Sequence, residues 1–409
     1  MTLGIKQTLQ GSGSGDGCRV DIRSDLRVVG VVPVKEEAAA ERIREMVRRS
    51  SSIASRAIVV SAVMISLFLT PHPAVGQASS ARHQRATRAW PAPPDPARIE
   101  FLESFSRAAD FGWKRSLWRK FVDWAMNETD PSVLQRPFSV AVDAQGRLLI
   151  ADAGSGELKI FDPRKKSVKA VSGYKGKQFG MPVSVAVDDS RNIYVSDSGA
   201  GKVLKYSPQG KFLDTIGGEE GAFKRPASIA FNPVNHWLYV VDTVRPRVFA
   251  YSTDGALRLK FGERGTGPGQ FNFPTFIAVD REGRLFVNDT LNFRIQILTP
   301  DGKFIGQFGE AGDGSGNINR PKGVALDSEG HVYVAEALFS CVQIFDQQGR
   351  FLLGFGEAGA GTGEFYIPAA ITIDRDDRIY VADPFQHRVE VFQYRPARRE
   401  RTAASGGGQ

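Results

Sequence analysis

Short apolar runs separated by polar turns recur at a nearly constant interval over residues 136–394. Six of these runs start at a proline and end at an acid or an amide, as in RPFSVAVD from residue 136 and RPKGVALD from residue 320. Successive prolines are 45, 44, 48, 47 and 47 residues apart: Pro137, Pro182, Pro226, Pro274, Pro321 and Pro368. A fixed interval of this length indicates a repeat architecture.

Each copy of the repeat predicts four short strands. The proline run is the first strand, and a polar turn joins it to a second apolar strand such as LLIAD or IYVSD. A third strand alternates apolar and polar residues, as in IQILT, and a turn such as PDGK leads to a fourth, as in FIGQFG. Six such units predict an all-β fold, a six-bladed β-propeller with four-stranded antiparallel blades.

The sixth copy lacks a fourth strand, because its third strand runs into a basic tail. The segment IEFLESF, residues 99–105, precedes the first copy and has the pattern of the missing strand. Since a propeller avoids unpaired blade edges, we predict that residues 99–105 complete the last blade. The stretch at 113–127 places tryptophans and basic residues at helical spacing, which predicts a short helical insertion that either caps the ring or contacts a membrane or partner.

Glycine-rich segments follow several of the fourth strands. FGEAGAGTGEFYIP from residue 355 has near-copies in FGERGTGPGQFNFP from residue 261 and FGEAGDGSGNINRP from residue 308. A phosphate-binding loop would occur once and open a helix, whereas each of these segments leads into the proline of the next copy. We therefore interpret them as connections from the outer edge of one blade to the centre of the next, and not as a nucleotide site.

Residues 57–69, AIVVSAVMISLFL, form an apolar run that follows a basic segment and precedes small residues. This order is typical of an export signal, with cleavage after Gly76 or Ala78, and the run is short for a membrane span. Met46 lies where an initiator would, which makes residues 1–45 a possible non-native leader. We expect an exported protein, periplasmic or extracellular, with an inner-membrane anchor facing the periplasm as the alternative.

These patterns divide the chain into five segments. After the possible leader at 1–45, residues 46–78 form the signal peptide or membrane anchor, 79–96 a disordered linker, 97–394 the propeller and 395–409 a disordered basic tail. The 53 Lys and Arg residues exceed the 45 Asp and Glu residues only because of the ends, since the propeller segment holds 36 of each. A neutral propeller argues against a nucleic-acid partner.

Metal and nucleophile chemistry have little support in the sequence. Cys18 and Cys341 are the only cysteines, which excludes a disulfide framework and a cysteine metal site. His236 and His331 fall in turns before a second strand, whereas His387 starts a third strand, so we expect them in different blades and on opposite rims, too far apart for zinc. No Gly-x-Ser-x-Gly elbow occurs in a strand-to-helix context.

Each second strand ends at an acid. Because this acid recurs once per blade, we predict that it caps backbone amides in the turn that follows and does not belong to a ring of calcium ligands. No cofactor is therefore expected, with calcium left open. The acids are Asp152, Asp197, Asp242, Asp289, Glu336 and Asp383.

The residues that vary between copies are the candidates for binding, because loops on a rigid scaffold carry recognition. Those beside the prolines and those after the second strands should share one rim near the channel mouth. Their mixture of basic and aromatic side chains suits a peptide or an acidic glycan, although ordinary solvated arginines would give the same composition. The candidates are Arg136, Lys224, Arg225, Phe273, Arg320 and Lys322 beside the prolines, and Arg245, Asn292, Phe293, Phe339 and Gln386 in the loops.

The proline strand, the IYVAD-type second strand and the loop segments LNFRIQIL (291–298) and FQHRVEVF (385–392) together resemble the NHL-repeat family of six-bladed propellers. The similarity is greatest to stand-alone exported bacterial members. The segments GSGELKIF, GAGKVLKY and LFSCVQIF of the first, second and fifth copies lack the arginine of the family pattern.

The resemblance implies the propeller fold more securely than it implies a function. We expect a monomeric, non-catalytic binding or scaffold module for a protein or peptide in the cell envelope. Membrane contact would come through residues 57–69 or the 113–127 helix. The alternative is a propeller enzyme with a metal site in the central channel, of the lactonase or lyase type.

Overall fold

The computed structural model describes residues 88–92, 94–113, 130–217 and 222–396, all within the unit Ser80–Gln409. Six antiparallel sheets follow one another around a ring, and the innermost strand of the last sheet contacts the innermost strand of the first. The protein is a six-bladed β-propeller, as predicted.

Several predicted segments lie wholly or largely outside the described residues: the leader, the apolar run at 57–69, most of 113–127 and the basic tail. The linker predicted as disordered at 79–96 is described at 88–92 and 94–96, and the prediction is wrong there because Ala89–Trp90 forms a paired strand. Within the part of the chain that the structure describes, no helix has the length and apolarity to cross a membrane.

Blades 1 to 3 each contain four consecutive strands, numbered here from the channel outward. Blade 1 contains Pro137–Val142, Leu148–Asp152, Glu157–Asp162 and Ser167–Val171. Blade 2 contains Pro182–Val187, Ile193–Asp197, Lys202–Tyr206 and Phe212–Ile216. Blade 3 contains Pro226–Asn232, Trp237–Asp242, Arg247–Ser252 and Leu257–Phe261.

Blades 4 and 5 follow the same plan, and blade 6 takes strands from two distant parts of the chain. Blade 4 contains Pro274–Val279, Leu285–Asp289, Arg294–Leu298 and Phe304–Phe308. Blade 5 contains Pro321–Leu326, Val332–Glu336, Cys341–Phe345 and Phe351–Phe355. Blade 6 contains Ile371–Ile373, Arg378–Asp383, Arg388–Tyr394, Ile99–Phe105 and Ala89–Trp90.

Short elements fill the connections. Two small sheets pair Gly173–Tyr174 with Lys177–Gln178 and Glu357–Ala358 with Glu364–Phe365. Two 3-10 turns occur at Ala108–Phe111 and Thr290–Asn292.

Period-two alternation builds the core between blades. Leu148 and Ile150 of the second strand of blade 1 pack towards blade 6, whereas Leu149 and Ala151 of the same strand pack towards blade 2. Six buried clusters of this kind lie between successive blades around the ring. Each blade is therefore stabilised mainly by its two neighbours, since one sheet cannot bury both of its faces alone.

Blade 6 is closed as predicted by the strand Ile99–Phe105. It pairs antiparallel with the third strand of the blade, from Ile99 opposite Tyr394 to Phe105 opposite Val389. The additional strand Ala89–Trp90 pairs with Ile99 and Glu100 on the outside of the blade. The Trp90 ring packs 5.8 Å from the ring of Phe392, which fixes this strand against the core.

The innermost strand of blade 6 is shorter than its repeat pattern predicts. It begins at Ile371 and not at Pro368. Gly323 of blade 5 lies against it so closely that a Cβ atom there would be 2.4 Å from the Ile371 nitrogen. The glycine therefore permits a close backbone approach beside the channel.

Candidate binding site at the channel mouth

We call the end of the ring where the first strands begin the proline rim. The second strands also end there, so the buried acids lie directly beneath it. Asp152 accepts hydrogen bonds from the backbone nitrogens of Gln135 at 2.8 Å, Arg136 at 2.7 Å and Gly154 at 3.1 Å. The predicted capping role is confirmed, and the acid also holds the residues that precede the proline.

The same acids hold the backbone of the other candidate arginines. Asp242 accepts from the Arg225 nitrogen at 3.1 Å, and Glu336 accepts from the Arg320 nitrogen at 2.8 Å. Burial raises the pKa of Glu336, while the backbone amides that bind its carboxylate act in the opposite direction. The guanidinium groups of Arg225 and Arg320 therefore project from an anchored backbone.

The residue directly after each proline faces the channel mouth in blades 1 to 5. These residues line one cavity of about 120 Å³: Phe138, Val183, Ala227, Thr275 and Lys322. Arg225 and Phe273 line the same cavity. The structure thus brings three predicted candidates, Arg225, Phe273 and Lys322, to one place, and Lys322 is the charged member of an otherwise uncharged ring.

Lys322 gives the mouth its electrostatic character. Its side chain is half-buried, and burial together with the positive charges of Arg320 and Arg225 lowers the pKa of its ammonium group. Glu336 acts in the opposite direction, but its carboxylate is already bound by backbone amides. None of the described residues that line the cavity is acidic, so the mouth favours an anion.

Phe273 is held at the mouth in a strained backbone conformation. Its φ is 62°, which bulky residues rarely adopt, and Pro274 follows it. Asn272, just before it, donates its backbone N–H to Asp289 at 2.6 Å, and the Thr243 hydroxyl donates to the Pro274 carbonyl at 2.8 Å. These contacts fix the backbone on both sides of the aromatic ring, which is 38% exposed.

The central channel begins below the mouth, and Phe276 lines both cavities. The channel volume is about 210 Å³, and its described lining consists of apolar side chains with a few hydroxyl groups. Two of these hydroxyls are occupied: Ser184 accepts from the Ile229 nitrogen at 3.2 Å and Ser228 from the Ile277 nitrogen at 3.4 Å. They join the innermost strands of adjacent blades.

The three histidines of the propeller segment lie apart, as predicted. His236 contacts Asp189 at 2.8 Å and His331 contacts Asp327 at 2.8 Å, both in turns after a first strand. His387 contacts the Gln135 carbonyl on the proline rim. Over the residues that the structure describes, no three His, Cys, Asp or Glu side chains converge as metal ligands would.

A second cluster on the proline rim lies between blades 6 and 1. The Arg136 guanidinium lies over the rings of Phe138 at 5.3 Å and Phe385 at 5.6 Å. Phe385 in turn meets Tyr366 edge-to-face at 5.8 Å, and both rings are exposed. Arg136 thus belongs to a cationic and aromatic patch that adjoins the mouth through Phe138.

Two candidate amides bind the glycine-rich connections. Asn292 donates to the Gly265 carbonyl at 2.9 Å and to Asp289 at 2.7 Å. Gln386 donates to the Gly359 carbonyl at 2.7 Å and to Asp383 at 3.0 Å. Their donor groups are therefore engaged within the protein.

The remaining candidates lie outside the mouth cavity. Lys224 is exposed, and the Arg245 guanidinium donates to the Ala222 carbonyl at 3.2 Å. Phe293 closes a turn with φ 56°. Phe339 lines a separate groove at the side of blade 5 together with Cys341.

Exposed apolar side chains occupy one repeat position around the proline rim. The second residue after the buried acid is large and apolar in blades 3 to 6: Val244, Leu291, Leu338 and Phe385. In blades 1 and 2 this position is Gly154 or Gly199, where a Cβ atom would lie 2.7 Å from Arg136 Cβ or from the Gly180 carbonyl carbon. Apolar exposure at this position is therefore confined to four blades.

Sequence reasoning missed several residues of the mouth. Phe138, Val183, Thr275 and Phe276 line it but were not candidates. For Phe138, Val183 and Thr275 the signal was present, because side chains alternate along a strand and the residue after each proline falls on the same side in every copy. Phe276 is the second residue after Pro274, and this signal does not find it. Tyr366, two residues before Pro368, was also missed.

Comparison with known proteins supports the fold and goes no further. The DUF5128 family model, described as a 6-bladed beta-propeller, matches residues 326–396. No curated protein matches the chain.

Solved structures of low identity share the architecture. A streptogramin B lyase is 13% identical with a TM-score of 0.50, and the match covers 64% of this chain and 94% of that one. A gluconolactonase from Xanthomonas campestris is 15% identical with a TM-score of 0.50 and coverages of 64% and 87%. An auxiliary nutrient binding protein from Bacteroides thetaiotaomicron is 13% identical with a TM-score of 0.50 and coverages of 64% and 70%. Enzymes and a binding protein thus share this fold.

Proposed function

We propose that the protein is an exported NHL-type propeller that acts as a non-catalytic binding or scaffold module and holds a protein or peptide partner of the cell envelope on its proline rim. The convergence of Arg225, Phe273 and Lys322 on one cavity carries this proposal. We find no ion pair between another described residue and Arg225, Lys322 or the neighbouring Arg320. Their charge is therefore available to a partner. The apolar run at 57–69 supports export.

The composition of the rim supports a protein partner. Arginine and aromatic side chains dominate the energetics of protein interfaces, and both types surround the mouth. The exposed side chains of blades 3 to 6 extend this surface with apolar area, of which Leu338 is 57% exposed. A partner that covers the mouth would also remove these side chains from water.

The alternative is a lactonase- or lyase-type enzyme with a metal in the channel, calcium included. Zinc binds sulfur, imidazole and carboxylate ligands, and calcium binds oxygen ligands that are commonly carboxylates. The described channel lining offers hydroxyl and backbone groups, which fits neither preference well. We therefore place the binding function first.

A paired substitution on the rim tests the proposal. In Arg225→Ala/Arg320→Ala, cross-linked capture of partners from the native envelope should fall while thermal unfolding stays nearly unchanged, because both side chains are exposed. Arg258→Ala/Arg281→Ala removes two exposed arginines away from the proline rim and serves as the matched control.

The outcomes separate the two functions. Equal capture by the rim variant and the wild type would remove the rim from consideration. Stoichiometric calcium or zinc that survives exhaustive dialysis would favour the enzyme.

A further inference from the structure

We infer that the mouth cavity binds a carboxylate carried on a short apolar group, namely the C-terminal end of a peptide. This inference rests on the proposed binding function and specifies the chemistry of the partner. It is argued from the charge, the size and the hydrogen-bonding groups of the cavity.

The charge of the cavity calls for an anion. Lys322 and Arg225 both line it, and no described residue accepts a hydrogen bond from the Lys322 ammonium. A half-buried ammonium without an acceptor loses hydration that an anion would replace. The cavity therefore contains a cation that no described residue pairs and that the anionic group of a ligand would pair.

The backbone around the mouth favours a carboxylate over a phosphate. Phosphate sites generally use several free backbone N–H groups. Here the N–H groups of Arg225 and Arg320 are bound by buried acids, and Pro226 and Pro321, which follow them, have none. Among the side chains that line the cavity, Lys322 and Arg225 carry the positive charge, and such side-chain cations suit a singly charged carboxylate.

The size of the cavity limits the group attached to the carboxylate. Its volume of about 120 Å³ is smaller than the roughly 150 Å³ of an apolar cavity that takes benzene. Val183, Ala227 and Phe273 supply apolar wall. A short aliphatic side chain fits within this space, whereas a longer acyl chain would extend beyond it.

The surface outside the cavity fits the rest of a peptide. Leu291, Leu338 and Phe385 are exposed on the same rim. A chain that ends in the mouth could place its preceding residues on these side chains. A small carboxylic acid that is not part of a peptide has no group to place there. A peptide is therefore the source of the carboxylate that uses the whole rim.

The probe is a fluorescein-labelled pentapeptide, Ala-Ala-Ala-Leu-Val, with either a free C-terminal carboxylate or a C-terminal amide. Anisotropy should show the free acid binding at least about tenfold more tightly, as expected for one charge-assisted contact. Lys322→Met keeps the apolar stem and should abolish that ratio. Lys260→Met removes the same charge from the exposed fourth strand of blade 3, away from the cavity, and should preserve it.

Three results would overturn the inference. The first is equal binding of the peptide acid and the peptide amide, and the second is an equal effect of the two lysine variants. The third is displacement of the labelled peptide by octanoate at concentrations at which the unlabelled peptide acid does not displace it. Thermal unfolding of each variant shows that it is folded. If the protein shows no preference for the peptide acid but still captures a partner from the envelope, this inference alone is rejected. If the peptide acid binds but no partner is captured, the proposed protein partner is rejected.

Discussion

Blades 4 and 6 have different side chains, an amide and a carboxylic acid, at the same repeat position. This position is seven residues after the buried acid of the second strand, and its side chain contacts the glycine-rich connection that leads into the same blade, called here the connection of that blade. In blade 4 this is Gln296, which accepts from the Gly269 nitrogen at 2.9 Å and donates to the Gln270 carbonyl at 2.6 Å. Gln343 makes the same pair of contacts in blade 5, with Gly316 and Asn317.

In blade 6 the corresponding residue is Glu390. One of its oxygens accepts from the Gly363 nitrogen at 3.3 Å and lies 3.1 Å from the Arg388 guanidinium, while the other is buried and has no hydrogen-bond partner among the described residues. Burial raises its pKa to about 7, although Arg388 acts in the opposite direction. A carboxylate cannot donate as an amide does, so at this position the connection into blade 6 contacts a group that titrates, whereas the connections into blades 4 and 5 contact amides that do not.

The comparison also concerns how the blades are closed. The fourth strand of blade 4 follows the third directly in the sequence, whereas the fourth strand of blade 6 comes from residues 99–105 and is held by packing and backbone hydrogen bonds. Blade 6 thus combines a closure between distant segments with a buried carboxylate. We expect it to be the least stable blade.

Removing the closing strand should have the largest effect. A chain that starts at residue 107 loses the buried side chains Ile99, Phe101 and Phe105, each of which contributes about 1.5–3 kcal/mol. Their sum approaches the total stability of many domains, so cooperative thermal unfolding should be lost or shifted far downward. A chain that starts at residue 88 is the control, and a common Tm for both would show that the stability of the ring does not depend on the closing strand.

Glu390→Gln should stabilise the protein at high pH. The folded protein holds this proton with a pKa of about 7, against 4.5 for an ordinary glutamate, so folding takes up a proton between those values. The stabilisation that the folded protein gains from holding this proton is fully present below about pH 4.5 and is lost as the pH rises through 7. Relative to wild type, denaturant unfolding of the variant should show a gain of about 3 kcal/mol at pH 8, and a small change at pH 4.5. A gain independent of pH would contradict the titration of Glu390.

The reverse change, Gln296→Glu, should give blade 4 the behaviour of blade 6. The new carboxylate would lose the donor to Gln270 and face Asp289, whose oxygen is 3.1 Å from the present amide. We expect about 1–3 kcal/mol of destabilisation at pH 8, and a smaller loss at pH 5. Gln343→Glu is the matched variant in blade 5. Unchanged stability at both pH values would show that the connection tolerates a charge.

Arg88→Ala should have the smallest effect. Arg88 joins the N-terminal strand to the connection of blade 6 through the Thr362 carbonyl at 2.9 Å and through Glu357 and Glu364. These contacts are largely solvent-accessible, so we expect Tm to fall by at most about 2–4 °C. A larger fall would mean that the contacts of Arg88 stabilise blade 6 more than their solvent accessibility suggests.

The fold was predictable because its signals are local and repeated. The proline interval gave the number of blades, and the pattern of residues 99–105 gave the closing strand. The recurrence of Asp152 and its equivalents gave their capping role. The short first strand of blade 6 was not predictable, since its sequence IPAAITID has the same pattern as the other first strands.

The candidate site was less predictable because it depends on distances between blades. Arg225, Phe273 and Lys322 come from blades 3, 4 and 5, and nothing in their spacing distinguishes them from Phe339, which lies elsewhere. Asn292 and Gln386 bond to carbonyls 27 residues away. Their engagement therefore could not be inferred from neighbouring residues.

The pairing of Ile99 with Tyr394 also determines when folding can finish. The strand Ile99–Phe105 is synthesised before any complete blade, but its partner lies 295 residues later. Contacts between such distant residues form slowly, because the loop between them must first be ordered. Five blades can assemble while the chain is still being made, whereas the ring stays open, with a bare strand edge, until the last few residues of the propeller are available.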